Sequence, residues 1–279
     1  VPLLVLMLVG ALLKPLSTQV WEKVRAAQPE LSLLDLKDGL GQGMLLGVFG
    51  GFRSLIADFV WISGNGDWEK RDRAKTETMI HLALTLDPTN SFFWRNGARI
   101  LAYDIPVWRL RDEMKLNPDD RENPMVKQVR LEQCARAFEL LDKTITREPN
   151  NPWPYTEKAQ IYNLVLKDTE NAAIWFGKAS ALPRAPYFAG RIRAELLVKM
   201  GKVREAYDCL LHFYNDLPTN DPYAARDFVY DRLRELEDEL KLPQSERMQG
   251  ERPAPLVFTD DHPPRAPQGS DSCGHDHAH

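Results

Sequence analysis

The sequence predicts an all-α protein, a helix-turn-helix solenoid of about four units set between two specialised ends. Three observations carry this reading. Apolar residues from about 52 to 242 recur at intervals of three and four, and alternating β-branched runs are nearly absent, so strands are not needed. Pro149, Pro183 and Pro218 stand 34 and 35 residues apart, and Pro88 lies 61 before Pro149. Spacing near 34 is what stacked helical pairs produce. Composition is also uneven: residues 1–13 carry no charge, and four of the six histidines follow position 261.

The bulk figures set bounds. With 279 residues, 43% of them apolar, the chain has ample material for a core. Its 36 basic against 40 acidic residues, net charge -4, argue against a nucleic-acid binder, which needs a basic surface to neutralise phosphates. Cys134, Cys209 and Cys273 are too few and too scattered for a disulfide framework or a four-cysteine zinc site.

The first element, residues 1–13, is expected to be a membrane anchor helix. The run is shorter than the roughly 20 apolar residues that span a bilayer, so its start is read as clipped. It has no basic leader, and Leu12, Leu13 and Pro15 make a poor cleavage site; a cleaved signal and a buried terminal helix are the competing readings. Lys14, Lys23 and Arg25 are offset by Glu22 and Glu30, so charge does not fix the orientation. Residues 14–51 form a juxtamembrane, glycine-rich segment in which Gly43, Gly47 and Gly51 recur at four. That spacing suits close helix packing in a membrane, but Arg53 and Asp58 follow at once and disfavour a second span, leaving a loop as the simpler reading. Gly39-Leu-Gly41 lacks the Gly-Lys-Ser/Thr of a phosphate loop.

The helical domain is expected over 52–242. Its last unit is the cleanest: Ala194, Leu197, Gly201, Ala206, Leu210, Phe213, Pro218. Small residues fall where two helices cross, large ones fill between them, Gly201 permits the turn and Pro218 ends the second helix. The unit before it reads Tyr155, Ala159, Tyr162, Ala172, Phe176, Ala179, with the turn one residue longer. Asp87-Pro88-Thr-Asn90 before Trp94 and Ala98 repeats the junction Glu148-Pro149-Asn-Asn151 before Tyr155 and Ala159. Between Tyr103 and Gln133 the pattern fails: Ile105-Pro106, Asn117-Pro118 and Asn123-Pro124 are expected to interrupt the second helix, giving an insertion near 104–124 before a helix from about Met125 to Ile145. Tyr223 to Leu240 reads as a charged capping helix.

These units resemble the tetratricopeptide repeat over roughly two thirds of the chain. Gly50-Gly51-Phe52-Arg53, leading into Ala57-Asp58-Phe-Val-Trp61, is similar to a segment of membrane-anchored bacterial tetratricopeptide proteins of no assigned activity. The resemblance implies a bacterial envelope protein; with the anchor it is expected to be a single-pass protein of the inner membrane, the side of its body left open with the periplasm favoured. It also implies a concave face lined by first-helix positions: Phe92, Arg95, Arg99, Ala102; Trp153, Thr156, Gln160, Asn163; Phe188, Arg191, Glu195, Val198. Arginines beside aromatics suit an extended acidic or amphipathic peptide, because guanidinium pairs bidentately with carboxylate. The same residues equally suit a solvated arginine face with aromatics packed between repeats. The fuller Lys/Asn set of the family's carboxylate clamp is missing.

No hydrolase, zinc-protease or nucleotide-loop signature occurs, and His81, His212, Cys134 and Cys209 read as ordinary helix residues, so no catalytic residue is assigned. The Pro-rich stretch 243–279 is expected to be a disordered tail. It carries Cys273, His275, His277 and His279, whose donors suit zinc, nickel or copper weakly; a polar tail without a metal fits the composition as well. The leading expectation is therefore a membrane-anchored, non-enzymatic scaffold binding a protein or peptide partner in an envelope assembly, with no cofactor. The alternatives are a metal-buffering protein acting through its tail and an enzyme on a helical scaffold.

Overall fold

The computed structural model describes residues 52–256. The expected anchor at 1–13, the segment 14–51 and the tail donors Cys273, His275, His277 and His279 lie outside the described residues. Contacts divide the chain into Val1–Ile56 and Ala57–His279, and the helical body from Ala57 onward belongs to the second unit. Every regular element among the described residues is a helix.

Helices α1 (Arg53–Glu69) and α2 (Arg73–Leu86) open the series, and Asp72 caps α2 by accepting from the Lys75 amide at 3.2 Å. The two repeated junctions are then explained by one chemistry. Asn90 caps α3 (Ser91–Arg99) by accepting from the Phe92 amide, and Asn151 caps α6 (Pro152–Ile161) by accepting from the Trp153 amide. In both, the side-chain carbonyl satisfies an amide that has no partner within the helix.

The expected break at Pro106 does not occur. A proline inside a helix removes one amide donor and crowds the preceding turn. Here a π-helical turn, Ile100–Asp104, immediately precedes the short helix α4 (Ile105–Trp108), and a second π turn, Arg109–Glu113, follows it. The wider i→i+5 winding accommodates the ring, and Pro106 is buried in a helix that runs on to residue 113. The non-helical stretch is thus 114–123, shorter than the expected insertion at 104–124. It is tied down by Arg130 Nη2 donating to the Pro118 carbonyl and Arg121 Nη1 donating to that of Val165. Helix α5 (Pro124–Arg147) then starts at Pro124 behind an Asn123 cap.

The remaining helices are α7 (Thr169–Ser180), α8 (Tyr187–Lys199), α9 (Val203–Asp216) and α10 (Arg226–Glu239). A π turn, Tyr162–Leu166, extends α6 and takes up the extra residue seen in the sequence before α7. From α5 onward each helix packs on the next, and α3 also touches α6. Small residues make the crossings: Ala159, Ala172, Ala179 and Ala189 are buried with Phe176 between α6, α7 and α8. A Cβ built on Gly190 of α8 would sit 2.6 Å from the Phe213 ring of α9, so only glycine admits that approach. Gly201, at φ +75°, forms the α8–α9 turn.

The stretch 243–279 is expected to be disordered, yet part of its described portion, 243–256, is strapped to α10. Met248 is buried, and its amide donates to Glu237 at 2.6 Å. Tyr230 donates to the Gly250 carbonyl, and Arg252 grips Asp231 at 2.6 and 2.7 Å. The reason is local: Glu237 is wholly buried, and a buried carboxylate is tolerable only when donors surround it. Tyr207, Arg234 and the strap amide supply them.

Candidate functional site

The asparagine caps place an aromatic residue in the first turn of α3 and of α6, Phe92 and Trp153. On α3, Arg95 and Arg99 follow one turn apart, so they share a face and repel unless an acid stands opposite. That acid is Glu157 of α6, only 2% exposed. Arg99 donates to both of its oxygens, from Nε at 2.9 Å and from Nη2 at 2.6 Å, the bidentate fork of a strong charge-assisted pair. Arg95 is handled differently. Its Nε lies 3.6 Å from Glu157 Oε1, beyond hydrogen-bond reach, and its buried Nε and Nη2 have no acceptor. Its guanidinium instead lies 4.6 Å from the centre of the Trp153 ring.

Two cations therefore share one anion. Burial lowers the Arg95 pKa against the opposing pull of Glu157, whereas the hydrogen bonds to Glu157 raise that of Arg99. Tyr103 stands a turn beyond Arg99. Burial first, then Glu157, push its phenol up to about 12, so it stays neutral and adds no second anion.

The strip continues onto α8. The Trp153 and Phe188 rings are 6.3 Å apart and tilted. One turn after Phe188, Arg191 is half-buried with no hydrogen bond or ion pair among the described residues, and desolvation alone lowers its pKa. Phe92 is exposed, its ring edge-on to Trp61 at 5.5 Å. Gln160 and Asn163 are half-buried, the latter inside the π turn.

Three of the implied lining positions serve elsewhere. Ala102 is wholly buried within the π turn Ile100–Asp104 and lines no open face. Thr156 is buried with its hydroxyl donating to the Pro152 carbonyl. Glu195 faces α10, where Arg232 grips both its oxygens at 2.7 and 2.9 Å. Arg95, Trp153 and Phe188 are brought into one continuous contact, with Arg191 next along α8 and Arg99 next along α3.

Sequence reasoning missed Glu157. The available signal was the pair of like charges at Arg95 and Arg99, which requires a counterion. It also missed Lys158, the next residue, which is buried against Trp175 at 4.1 Å and bonded to Asp142 at 2.6 and 2.8 Å.

Other chemistry is sparse. Burial pushes the Cys134 thiol up to about 12, and Cys209 is likewise raised. His81 is exposed, as is His212 beside Asp216 at 3.6 Å. Among the described residues no group of three or more His, Cys, Asp or Glu is placed to hold a metal. A cavity of about 260 Å³ between α10 and the strap is lined by Tyr214, Asp221, Arg226, Asp227, Glu251 and Leu256. Arg226 is committed there to the carbonyls of Tyr214 and Leu217. No helix among the described residues is long and apolar enough to cross a membrane. Compared with known proteins, the chain matches no family model and no curated protein.

Proposed function

We propose that the helical body is a non-enzymatic binding scaffold of the tetratricopeptide kind, which takes an extended acidic or amphipathic peptide of a partner protein along the first-helix strip. The observation that carries this reading is the buried guanidinium of Arg95, whose Nε and Nη2 have no acceptor, stacked on Trp153 beside Phe188, with half-buried Arg191 one turn further along α8. Burying the donors of Arg95 without an acceptor costs free energy that a partner's carboxylate recovers, and the rings supply apolar contact beside the charges. The stacking of each helix on the next from α5 onward supports a solenoid, whose first helices form such a strip. The rest of the proposal comes from the sequence: residues 1–13 hold the scaffold to a bacterial inner membrane, with the body periplasmic and serving an envelope assembly.

A peptide library displayed against wild type and a Trp153→Ala/Arg191→Gln double variant tests the binding face. Acidic peptides are expected to be enriched on wild type and lost on the variant; retention of the same peptides by both would refute the face. Membrane fractionation of the full chain tests the anchor, and recovery wholly in the soluble fraction would remove it.

A further inference from the structure

We infer that Arg99, Glu157 and Arg95 form a relay that reads one carboxylate, the acidic side chain of an extended peptide, with Glu157 passing from Arg99 to Arg95 as the ligand arrives. This deepens the reading above and rests on it. The charge count points first to one anion: two guanidinium groups face one carboxylate, and the neighbouring Tyr103 is a neutral phenol. One carboxylate balances the surplus charge, whereas a phosphate near -2 would overshoot it beside the buried Glu157.

Access then separates the two arginines. The Arg99 side chain is 46% exposed, so an incoming carboxylate meets it first, while that of Arg95 is 16% exposed with Nε and Nη2 buried. Those two nitrogens form the edge of the guanidinium that matches a carboxylate's paired oxygens. Glu157 Oε1 stands 3.6 Å from Arg95 Nε, so a displacement of roughly 0.7 Å brings it within hydrogen-bond range. Stacking on Trp153 holds the Arg95 plane ready for that step. Binding therefore does not strand Glu157. Arg99 takes the ligand, Glu157 takes Arg95, and two buried donors gain an acceptor. Arg99 is the reading residue and Arg95 the positioning residue.

The test uses the full chain with ¹⁵N-labelled arginine, titrated with acetylated, amidated tetraglutamate and with tetraglutamine. Tetraglutamate is expected to bind about tenfold tighter, the factor one charge-assisted hydrogen bond is worth, and to move the Nε–H resonances of both Arg99 and Arg95. Arg99→Lys keeps the charge but loses the planar fork, and should abolish most of the preference. Arg95→Met leaves Glu157 no second partner and should weaken tetraglutamate while leaving tetraglutamine unchanged. An Arg95 resonance that stays still on binding overturns the relay, as does a preference that survives Arg99→Lys. Equal binding of both peptides that is lost in Trp153→Ala overturns the relay and leaves the binding face standing. Binding of neither peptide removes both. Inorganic phosphate moving Arg99 at lower concentration than tetraglutamate does would overturn the assignment to a carboxylate.

Discussion

Glu157 is the residue on which the centre of the strip depends, because its burial is tolerable only while arginine donors face it. Glu157→Gln removes the charge but keeps the shape, leaving Arg95 and Arg99 to repel each other at the helix surface. The expected loss is about 2–3 kcal/mol, read as a lower urea midpoint at unchanged slope. Arg99→Gln should cost less, since water screens a side chain that is 46% exposed. A second consequence at this scale is alkaline. Burial raises both the Cys134 thiol, from 9.0, and the Tyr103 phenol, from 10.0, to about 12. A raised folded pKa means that the folded chain holds its proton more tightly than the unfolded chain does. Stability is therefore complete below pH 9 and declines as pH rises toward 12. Thermal melts across that range should show the decline, and Cys134→Ala with Tyr103→Phe should flatten it. An unchanged slope in the double variant would place the alkaline loss elsewhere.

Among the helices, the crossings are set by side-chain volume, and two glycines separate volume from propensity. At Gly190 of α8 an added methyl meets the Phe213 ring, so Gly190→Ala should destabilise by about 1–3 kcal/mol, the range for overpacking. At Gly66 of α1 an added methyl meets nothing within 4 Å, so Gly66→Ala should stabilise by up to about 1 kcal/mol through helix propensity alone. Opposite shifts in the urea midpoint check both; shifts of one sign would mean that packing does not govern the crossings. What the sequence displayed of these elements was what depends on neighbours along the chain. The Asn90 and Asn151 caps, Gly201 and the alanines at the crossings are local signals. Pro106 misled because its helix survives through π turns that no local rule demands. The strap escaped because its anchors, Met248 and Arg252, are isolated residues in a proline-rich stretch. At the site, Arg95, Trp153 and Phe188 were legible from their spacing after the helix starts. Glu157 was not, because its role depends on which helix faces α3.

For the described body as a whole, the consequence of each helix from α5 onward packing on the next is that stability should be distributed along that stretch. In a stack of this kind the total is close to a sum of unit and interface terms, so an injury at one end need not travel to the other. The strap provides the injury. Ending the chain at Leu242 exposes the α10 surface that Met248 covers and removes the strap amide from Glu237, leaving Tyr207 and Arg234 as its donors. Losing a buried methionine is worth about 1.5–3 kcal/mol. The C-terminal core holds Tyr207, Leu210, Leu233 and Leu236 together with Met248, so the loss should appear there. Native-state hydrogen exchange on the truncated chain is expected to show faster exchange in α9 and α10, while amides of α3 and α5 keep their wild-type protection. A uniform fall in protection across all helices would show instead that the body unfolds as one cooperative unit, with no independent ends.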